Sequence, residues 1–537
     1  MKTKYLKSIL PAALLTFAAS CTDLDVDIQS QYTEFPDSEL ASEARAANAY
    51  YAMRGPLSRD YNHAQSLSSD EVTPHSYGAN DYYDNGRYTH MFLHSWTPDD
   101  PCIGYWEAVA GGITTCNNLI AEFGDAENVA PTIASLRAVR AYYFFVLMDS
   151  YGDVPLLDHK LADDERIDRS PRADIARFIE KELLEVRDQL SEEVNASTYG
   201  MPTRWMADAL LAKLYLNWAV YTCGDVTQYT PDLPNEKLND LVAVCDEIIA
   251  SGRFDLSDDY RSKFYPDNGY QIRDFIYAMP FDRETQQGMT YARWWTHRSG
   301  NIGFYGVDLP SSVGGIFGVT PDFLDLFCLT NDERNETIIG GPLYVRDPYT
   351  YEETDTPWMI DGQQVVLTRD IPLNPVDEIM GVDNTPHGGR SVGYRSIKFY
   401  MDLQTTAAQS RSQSNDVPIF RYADVLLMKA EAILRGATAT NGDTPMSLIN
   451  QIRDYVGAEE KVTDSVTLDD LLDERGREFA DESWRRNDLI RFGKFEDDWG
   501  WKHIINPAAK TQLYRRIFPI PTGVMNTNTN WEQNPGY

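Results

Sequence analysis

Apolar residues recur every three to four positions in several stretches of the chain, and each stretch predicts a helix. In residues 134–149, ASLRAVRAYYFFVLMD, Leu136, Val139, Tyr143 and Leu147 share one face. Tyr151-Gly152-Asp153 then stops the helix, and Pro155 forbids its resumption. Residues 205–221 carry Ala209, Leu210, Ala212, Lys213, Leu214, Leu216 and Trp218, apolar nearly all round, as in a helix buried on every side. Residues 174–190 and 236–250 read as amphipathic helices. In the last third, Tyr422–Arg435 ends at Gly436, Pro445–Tyr455 follows, and Leu468–Ala480 is opened by Thr467 with acids in its first turn. Helix pairs joined by short breaks predict an all-α, tetratricopeptide-like superhelix of helix pairs. The small-residue spacing of 207–216 fits it, although the repeat consensus does not recur at a clean period of about 34 residues. Between about 260 and 420 the periodicity fades and Gly, Pro, Trp and Tyr become frequent. This stretch reads as a long loop-rich insertion with a few short strands, the kind of segment that carries function.

The first twenty residues follow a different pattern. Lys2, Lys4 and Lys7 precede an apolar run, Ile9 to Phe17, and the small residues Ala18, Ala19 and Ser20 lead to Cys21. This is the anatomy of a secretory signal. The Cys directly after the small residues resembles a bacterial lipobox, cut just before a Cys that becomes acylated, with Ala18 where Leu is usual. The alternative is ordinary cleavage beside an incidental Cys. The expected organisation is a signal peptide at 1–20, an acylated tether at 21–36 and one domain at 37–537. Its helical core takes about 37–255 and 420–495, and its insertion about 260–420. No later run of about 18 apolar residues follows, so no second membrane span is expected.

Charge and cysteine content exclude several classes. Asp and Glu total 82 against 48 Lys and Arg, a formal charge of −34. Nucleic acid needs a basic face, so it is not an expected partner. Beyond Cys21, Cys102, Cys116, Cys223, Cys245 and Cys328 form no C-x-x-C pair, so zinc and redox motifs are unsupported. Buried free thiols, or one or two disulfides, account for them. Catalytic templates such as G-x-S-x-G, the phosphate-binding Gly-Lys loop and H-E-x-x-H are absent. His90 and His94 are four apart but lack a third ligand at suitable spacing. Asp81-x-x-Asp84-Asn85-Gly86 has part of a calcium loop's pattern without its alternating acids or terminal Glu, which leaves room for no more than one structural calcium. Glu474 and Glu478 lie one turn apart, as a glycosidase pair could. Arg475, Arg477, Arg485, Arg486 and Arg491 surround them, and an Arg-paired carboxylate is acidified, the wrong direction for a general acid.

Several stretches together carry a family resemblance: LSSDEVTP at 67–74, HSWTPDD with IGYWEAVAGGITTCNNLI at 94–120, LRAVRAYYFFVLMDSYGDVPLL at 136–157 and PTRWMADALLAKLYLN at 202–217. FRYADVLLMKAEAILR at 420–435, ERGREFADESWRRNDLIRFGKF at 474–495 and FPIPTGVMNTNTNWEQNPGY at 518–537 complete it. In this order the sequence resembles the SusD/RagB family of Bacteroidetes outer-membrane nutrient-binding lipoproteins. The resemblance implies a helix-pair core decorated by loops that form a glycan site. It implies a place on the extracellular face of the outer membrane, anchored in lipid through acylated Cys21. It also implies capture of oligo- or polysaccharide for a SusC-like TonB-dependent transporter, with no catalysis and no cofactor. A peptide or glycoprotein-derived cargo is the alternative, and a glycoside hydrolase the third reading.

Sugars present flat C–H faces and many hydroxyls, so rigid aromatics with a polar tip suit them. Three clusters qualify: Tyr77, Asp81, Tyr82, Tyr83 and Asp84 in one irregular loop; Tyr291, Arg293, Trp294, Trp295, His297 and Arg298 in the insertion; and Asn301, Phe304 and Tyr305 just after it. The expected ligand contacts are Asp81, Tyr82, Tyr83, Trp294, Trp295, Arg298 and Tyr305. Arg293 with Arg298 is the loop pair that hints at an acidic glycan. Trp96 and Trp106 read as framework.

Overall fold

The computed structural model describes residues 39–77, 84–124, 127–372, 381–382, 385 and 387–537. The leader, Cys21, Asp81, Tyr82 and Tyr83 lie outside these residues.

Helices dominate. Helix α1 is Glu39–Tyr50, α2 Trp106–Phe123, α3 Ala130–Tyr151, α4 Arg172–Val186, α5 Arg204–Leu216 and α6 Leu238–Ala250. After the insertion come α7 Tyr422–Leu434, α8 Pro445–Tyr455, α9 Leu468–Phe479 and α10 Arg485–Arg491. Each packs on the next in the array: α2 on α3, α3 on α4, α4 on α5, α5 on α6, α6 on α7, and α7 on α8 and α9. This is the helix-pair array that the periodicity predicts.

Local chemistry sets the helix ends. In α3, Pro131 sits in the first turn, and Gly152 stops the helix at φ 78° with its N–H on Met148 O at 3.0 Å. Thr203 opens α5 by accepting from the Met206 N–H at 3.3 Å. The helix predicted over 205–221 is in fact two, Arg204–Leu216 and Trp218–Thr222. The break is at Asn217, whose side-chain amide returns to Lys213 O at 3.0 Å and competes with the backbone ladder. Thr467 and Asp470 cap α9 reciprocally, at 3.1 and 2.8 Å.

Eight two-stranded sheets, all short, complete the described architecture. Strands β1 Val72–Pro74 and β2 Ser76–Tyr77 precede α2. Strands β3 Phe275–Met279, β4 Phe317–Val319 and β5 Gly381–Val382 follow α6, and β6 Val417–Arg421 leads into α7. The antiparallel pair β3–β6 joins the two ends of the insertion, with Met279 opposite Val417 and Phe275 opposite Arg421. The insertion therefore leaves and rejoins the helical core at one place. It also has its own apolar cluster, with Phe304, Tyr305, Leu343, Trp358, Val365, Tyr400 and Met401 at its centre. Its irregular backbone is thus held by packing rather than by long ladders.

Beside the apolar core runs a buried ionic lattice. Arg475 bridges Asp424 and Asp488 at 2.8 Å each, Arg491 joins Asp488 to Glu431 at 2.6 and 2.7 Å, and Lys213 pairs with Asp424. Next to it, Arg421 holds Asp274, Glu478 and Glu482 at 2.6 to 2.8 Å, with Lys263 on Asp274 and Lys398 on Glu482. All these side chains are buried. Such pairs add little net stability against an apolar core, but losing one partner strands a buried charge.

The C-terminal tail locks onto this framework. Asn534 donates to Tyr151 O at 2.8 Å and Phe518 O at 2.7 Å, and Trp96 Nε1 donates to the Tyr537 hydroxyl at 2.8 Å. Trp96 and Trp106 are both buried. Cys102, Cys116, Cys223, Cys245 and Cys328 are free thiols. Among the described residues no helix is long and apolar enough to cross a membrane.

Candidate functional site

The two aromatic regions singled out in the sequence meet in space. Strand β1 pairs with β4 in antiparallel register, Val72 opposite Val319 and Pro74 opposite Phe317. Strand β2 pairs in parallel with β5, Ser76 beside Gly381 and Tyr77 beside Val382. The strand that leads into residues 78–83 thus lies against the middle of the insertion. Tyr77 is buried and its hydroxyl donates to Gly315 O. The half-buried Arg298 guanidinium sits 5.1 Å from the Tyr77 ring centre, within cation–π range.

Gly315 makes this approach geometrically feasible. It has φ 65°, and a Cβ there would fall 2.5 Å from Thr296 O and 2.6 Å from Arg298 N. Only glycine lets the two loop backbones touch. Beneath them, the fully buried Arg395 donates to Gly315 O at 3.3 Å, Val392 O at 3.0 Å and Arg390 O at 3.2 Å, as well as to Phe317 O. Its partners are carbonyls, so its charge is solvated but not neutralised. Burial lowers its pKa.

That positive field shows in the neighbouring side chains. Burial first, then Arg395 and Arg390, push the His297 imidazole down to about 3, so it is neutral at physiological pH. Its Nδ1 accepts from the Ser299 N–H at 3.1 Å, and its Nε2 faces the Ser391 hydroxyl at 3.4 Å. His75 is likewise held near 3 by burial and Arg395, with Nδ1 on Ile316 O at 2.8 Å. Burial raises the Tyr77 hydroxyl pKa, opposed by Arg395, Arg298 and Arg390. Tyr77, Arg298 and Arg390 therefore form a cation–aromatic cluster in a strongly acidic chain, the Tyr77 ring fully buried and the two arginines half-buried beside it.

The expected contacts separate in the structure. Arg298 is in this cluster, half-buried beside the Tyr77 ring. Trp294 and Trp295 are not exposed loop platforms: they sit on the short helix Tyr291–Trp295 and are 5% and 4% exposed. Trp294 stacks on Phe317 at 6.0 Å, packs against Tyr88 and His63, and has Gly314 against its six-membered ring. Trp295 meets Phe317 edge-on at 5.6 Å and lies beside the Asp481 carboxyl. A five-residue helix with apolar neighbours on both sides turns both indoles inward, where they form the floor under β4. Tyr305 is also buried, its ring against Phe304 and Tyr400 and its hydroxyl 2.7 Å from Thr296 Oγ1. Arg390 and Arg395 were missed in the sequence, because nothing in their spacing links them to Tyr77.

The carboxylate pair belongs to the ionic lattice. Glu474 is fully buried between Arg334, Arg453 and Arg477, at 2.8, 2.8 and 2.7 Å. Burial pushes its pKa up, but these arginines hold the carboxyl well below the usual range. Glu478 shares Arg334 at 3.4 Å and Arg421 at 2.8 Å. Neither side chain is accessible to a substrate. His90 pairs with Asp100 at 2.9 Å, whereas His94 bonds Ser68 O at 2.9 Å and stacks on Phe495. Among the described residues no group of three or more His, Cys, Asp or Glu is placed to hold a metal ion.

Comparison with known proteins agrees with this architecture. Residues 273–537 match the model of the SusD family, and residues 24–216 match one described as starch-binding associating with outer membrane. The starch-binding protein SusD of Bacteroides thetaiotaomicron is 24% identical, with both chains covered in full. A SusD-like protein of Bacteroides ovatus is 26% identical over 93% of this chain and 84% of that one. Among solved structures, surface glycan-binding protein A of Bacteroides thetaiotaomicron in complex with laminarihexaose superposes with a TM-score of 0.69 at 20% identity, covering 93% of this chain and 99% of that one. A SusD superfamily protein of Parabacteroides distasonis gives the same score, identity and coverage. From its first helices to its terminal Asn-Pro-Gly-Tyr, the chain belongs to the SusD/RagB family.

Proposed function

We propose that this chain is a cell-surface glycan-binding lipoprotein that captures oligo- or polysaccharide and delivers it to a SusC-like TonB-dependent outer-membrane transporter. It is a binding protein and not an enzyme. Acylation of Cys21 would tether it to the extracellular face of the outer membrane. The observation that carries the reading is the cation–aromatic cluster at Tyr77. There the half-buried Arg298 faces an aromatic ring beside Arg390, where the approach to residues 78–83 meets the insertion. Half-buried guanidinium groups at the edge of this loop region suit hydroxyl-rich ligands. Relatives named for starch and laminarihexaose binding support the same class of ligand. The buried, arginine-locked state of Glu474 supports a non-catalytic role.

The test is native affinity electrophoresis of the Cys21→Ser chain through gels that each hold one polysaccharide, laminarin and starch among them. Retardation by at least one is expected, with at least a tenfold weaker interaction in Arg298→Ala at unchanged melting temperature. No retardation of the folded chain by any neutral or acidic polysaccharide would overturn the reading and turn attention to peptide cargo. Co-purification with a TonB-dependent barrel from outer membranes checks the transporter half.

A further inference from the structure

The insertion presents two tyrosine rings to solvent that the fold does not use. Tyr349 is 90% exposed, more than any other large apolar side chain among the described residues, and Tyr270 is 58% exposed. Among the described residues neither ring packs on another aromatic ring, and neither hydroxyl has a hydrogen-bond partner. The aromatics expected from the sequence to face a ligand here, Trp294, Trp295 and Tyr305, are all buried.

The backbones that carry the two exposed rings are firmly held. Tyr349 stands at the tip of the hairpin that joins the antiparallel strands Tyr344–Arg346 and Glu353–Pro357. Pro348 fixes one φ of the turn. The Asp347 carboxylate accepts from the Tyr349 N–H at 2.8 Å and the Thr350 N–H at 2.9 Å, and the Tyr351 N–H donates to Asp347 O at 2.9 Å. In the Tyr270 loop, Asn268 donates to Lys263 O at 2.8 Å and Asp416 O at 3.0 Å, and the Ile272 N–H to Gly269 O at 3.0 Å. The hairpin and the loop adjoin where Tyr265 meets Tyr351 edge-on at 4.6 Å, with Tyr400 behind both rings. The scaffold is therefore fixed without help from Tyr349 or Tyr270. Rigid aromatics presented in this way lose little entropy when a ligand docks on them.

The surrounding charge selects the class of ligand. Between residues 299 and 368 the only cations are Arg334 and Arg346. Arg334 is buried against Asp332 and Glu474. The half-buried Arg346 donates to Tyr351 O at 2.9 Å and lies 3.9 Å from Glu353. Near Tyr270, the exposed Arg273 pairs with Asp255 at 2.7 Å. Asp267, Glu352, Glu353 and Asp355 stand exposed. Acidic glycans are repelled by such a surface, whereas its carboxylates accept hydrogen bonds from sugar hydroxyls. A ring as open as Tyr349 has no enclosing walls, so it can lie against the interior of a chain as readily as against its end.

We propose that the Tyr349 hairpin and the adjoining Tyr270 loop form an open platform for a neutral polysaccharide, one sugar ring stacked on each tyrosine and the hydroxyls donating to the exposed carboxylates. This inference rests on the glycan reading and deepens it, assigning the stacking residues and the charge class of the ligand.

The test is affinity electrophoresis of the Cys21→Ser chain through laminarin, starch, xylan and mannan as neutral polymers, and polygalacturonate and alginate as acidic ones. At least one neutral polymer should retard it. Tyr349→Ala should weaken that retardation about fivefold, and Tyr270→Ala should weaken it in the same direction, both at unchanged melting temperature. Tyr349→Phe keeps the ring and should stay within about twofold of the parent. The hexaose of the retarding polymer should compete about tenfold better than its disaccharide, since two platforms engage two rings of one chain. Retardation by acidic polymers alone overturns the neutral class. Loss in Tyr349→Phe equal to that in Tyr349→Ala overturns stacking, and equal competition by hexaose and disaccharide overturns the two-ring assignment. Retardation unchanged in the Tyr349→Ala/Tyr270→Ala double variant removes the platform alone and leaves the capture function to the Arg298 region. No retardation of the folded parent chain removes the capture function and the platform with it.

Discussion

Arg421→Met should be among the most damaging single substitutions remote from any ligand. Arg421 is 2% exposed and makes five hydrogen bonds: to Glu482 at 2.7 and 2.8 Å, Asp274 at 2.6 Å, Glu478 Oε1 at 2.8 Å and Glu478 O at 3.0 Å. Methionine fills a similar volume and donates nothing. Asp274 and Glu482 would keep only Lys263 and Lys398 among the cations now paired with them. One buried carboxylate charge is then uncompensated, a loss of about 3–5 kcal/mol. Arg421→Lys keeps the charge but loses the fork, so its cost should be smaller, about 1.5–3 kcal/mol. Urea unfolding followed by tryptophan fluorescence measures both, since urea does not screen ion pairs. The pH dependence gives an independent sign. Burial pushes the Asp274 pKa up, but Lys263 and Arg421 outweigh it and hold the carboxyl well below its usual range. A depressed carboxylate stabilises fully above its unfolded pKa, about 3.9, and loses that contribution as pH falls towards the folded value. Without Arg421 the folded pKa rises, so the variant relieves its penalty by taking a proton sooner. The gap between wild type and Arg421→Met should therefore narrow from pH 7 to pH 4. A gap under about 1 kcal/mol at pH 7, or one that does not change over this range, would refute the reasoning.

Three further outcomes are expected. Glu71 is buried, and burial with Asp481 and Asp70 lifts its pKa to about 8. A raised carboxyl binds its proton more tightly folded than unfolded, so it lowers stability as pH rises from about 4 to 8; Glu71→Gln should flatten the urea midpoint over that window. Asn534→Ala strands Tyr151 O and Phe518 O and should cost about 2–4 kcal/mol, with faster hydrogen exchange confined first to 518–537. In the Cys21→Ser chain, Cys328 is exposed and Cys223 half-buried, whereas Cys102, Cys116 and Cys245 are buried, and burial lifts Cys102 and Cys116 to about 12. A thiol reagent should titrate Cys328 fast and Cys223 slowly, with the remaining three only on unfolding.

The helices were legible because helix formation is a short-range matter of period, cap and stop. Thr467 with Asp470 three residues on, Gly152 after α3 and Pro445 at the start of α8 each act within a few residues of where they stand. The arginine-rich character of 474–495 was legible for the same reason, since acids and bases alternate along one stretch. The indole positions were not. Whether Trp294 faces water or Phe317 depends on a strand 23 residues later, and on Gly314 closing over the ring. The cation–aromatic cluster brings together Tyr77, Arg298, Gly315 and Arg390, far apart in sequence and joined by the β1–β4 and β2–β5 pairings. Likewise the Tyr270 loop and the Tyr349 hairpin are far apart in the chain, and only folding sets Tyr265 against Tyr351 to join them. Periodicity encodes which face of a segment is apolar; it carries no record of which distant segment that face will meet. Sequence alone therefore determined the elements and their family, and tertiary pairing decided which aromatic and charged side chains share a surface.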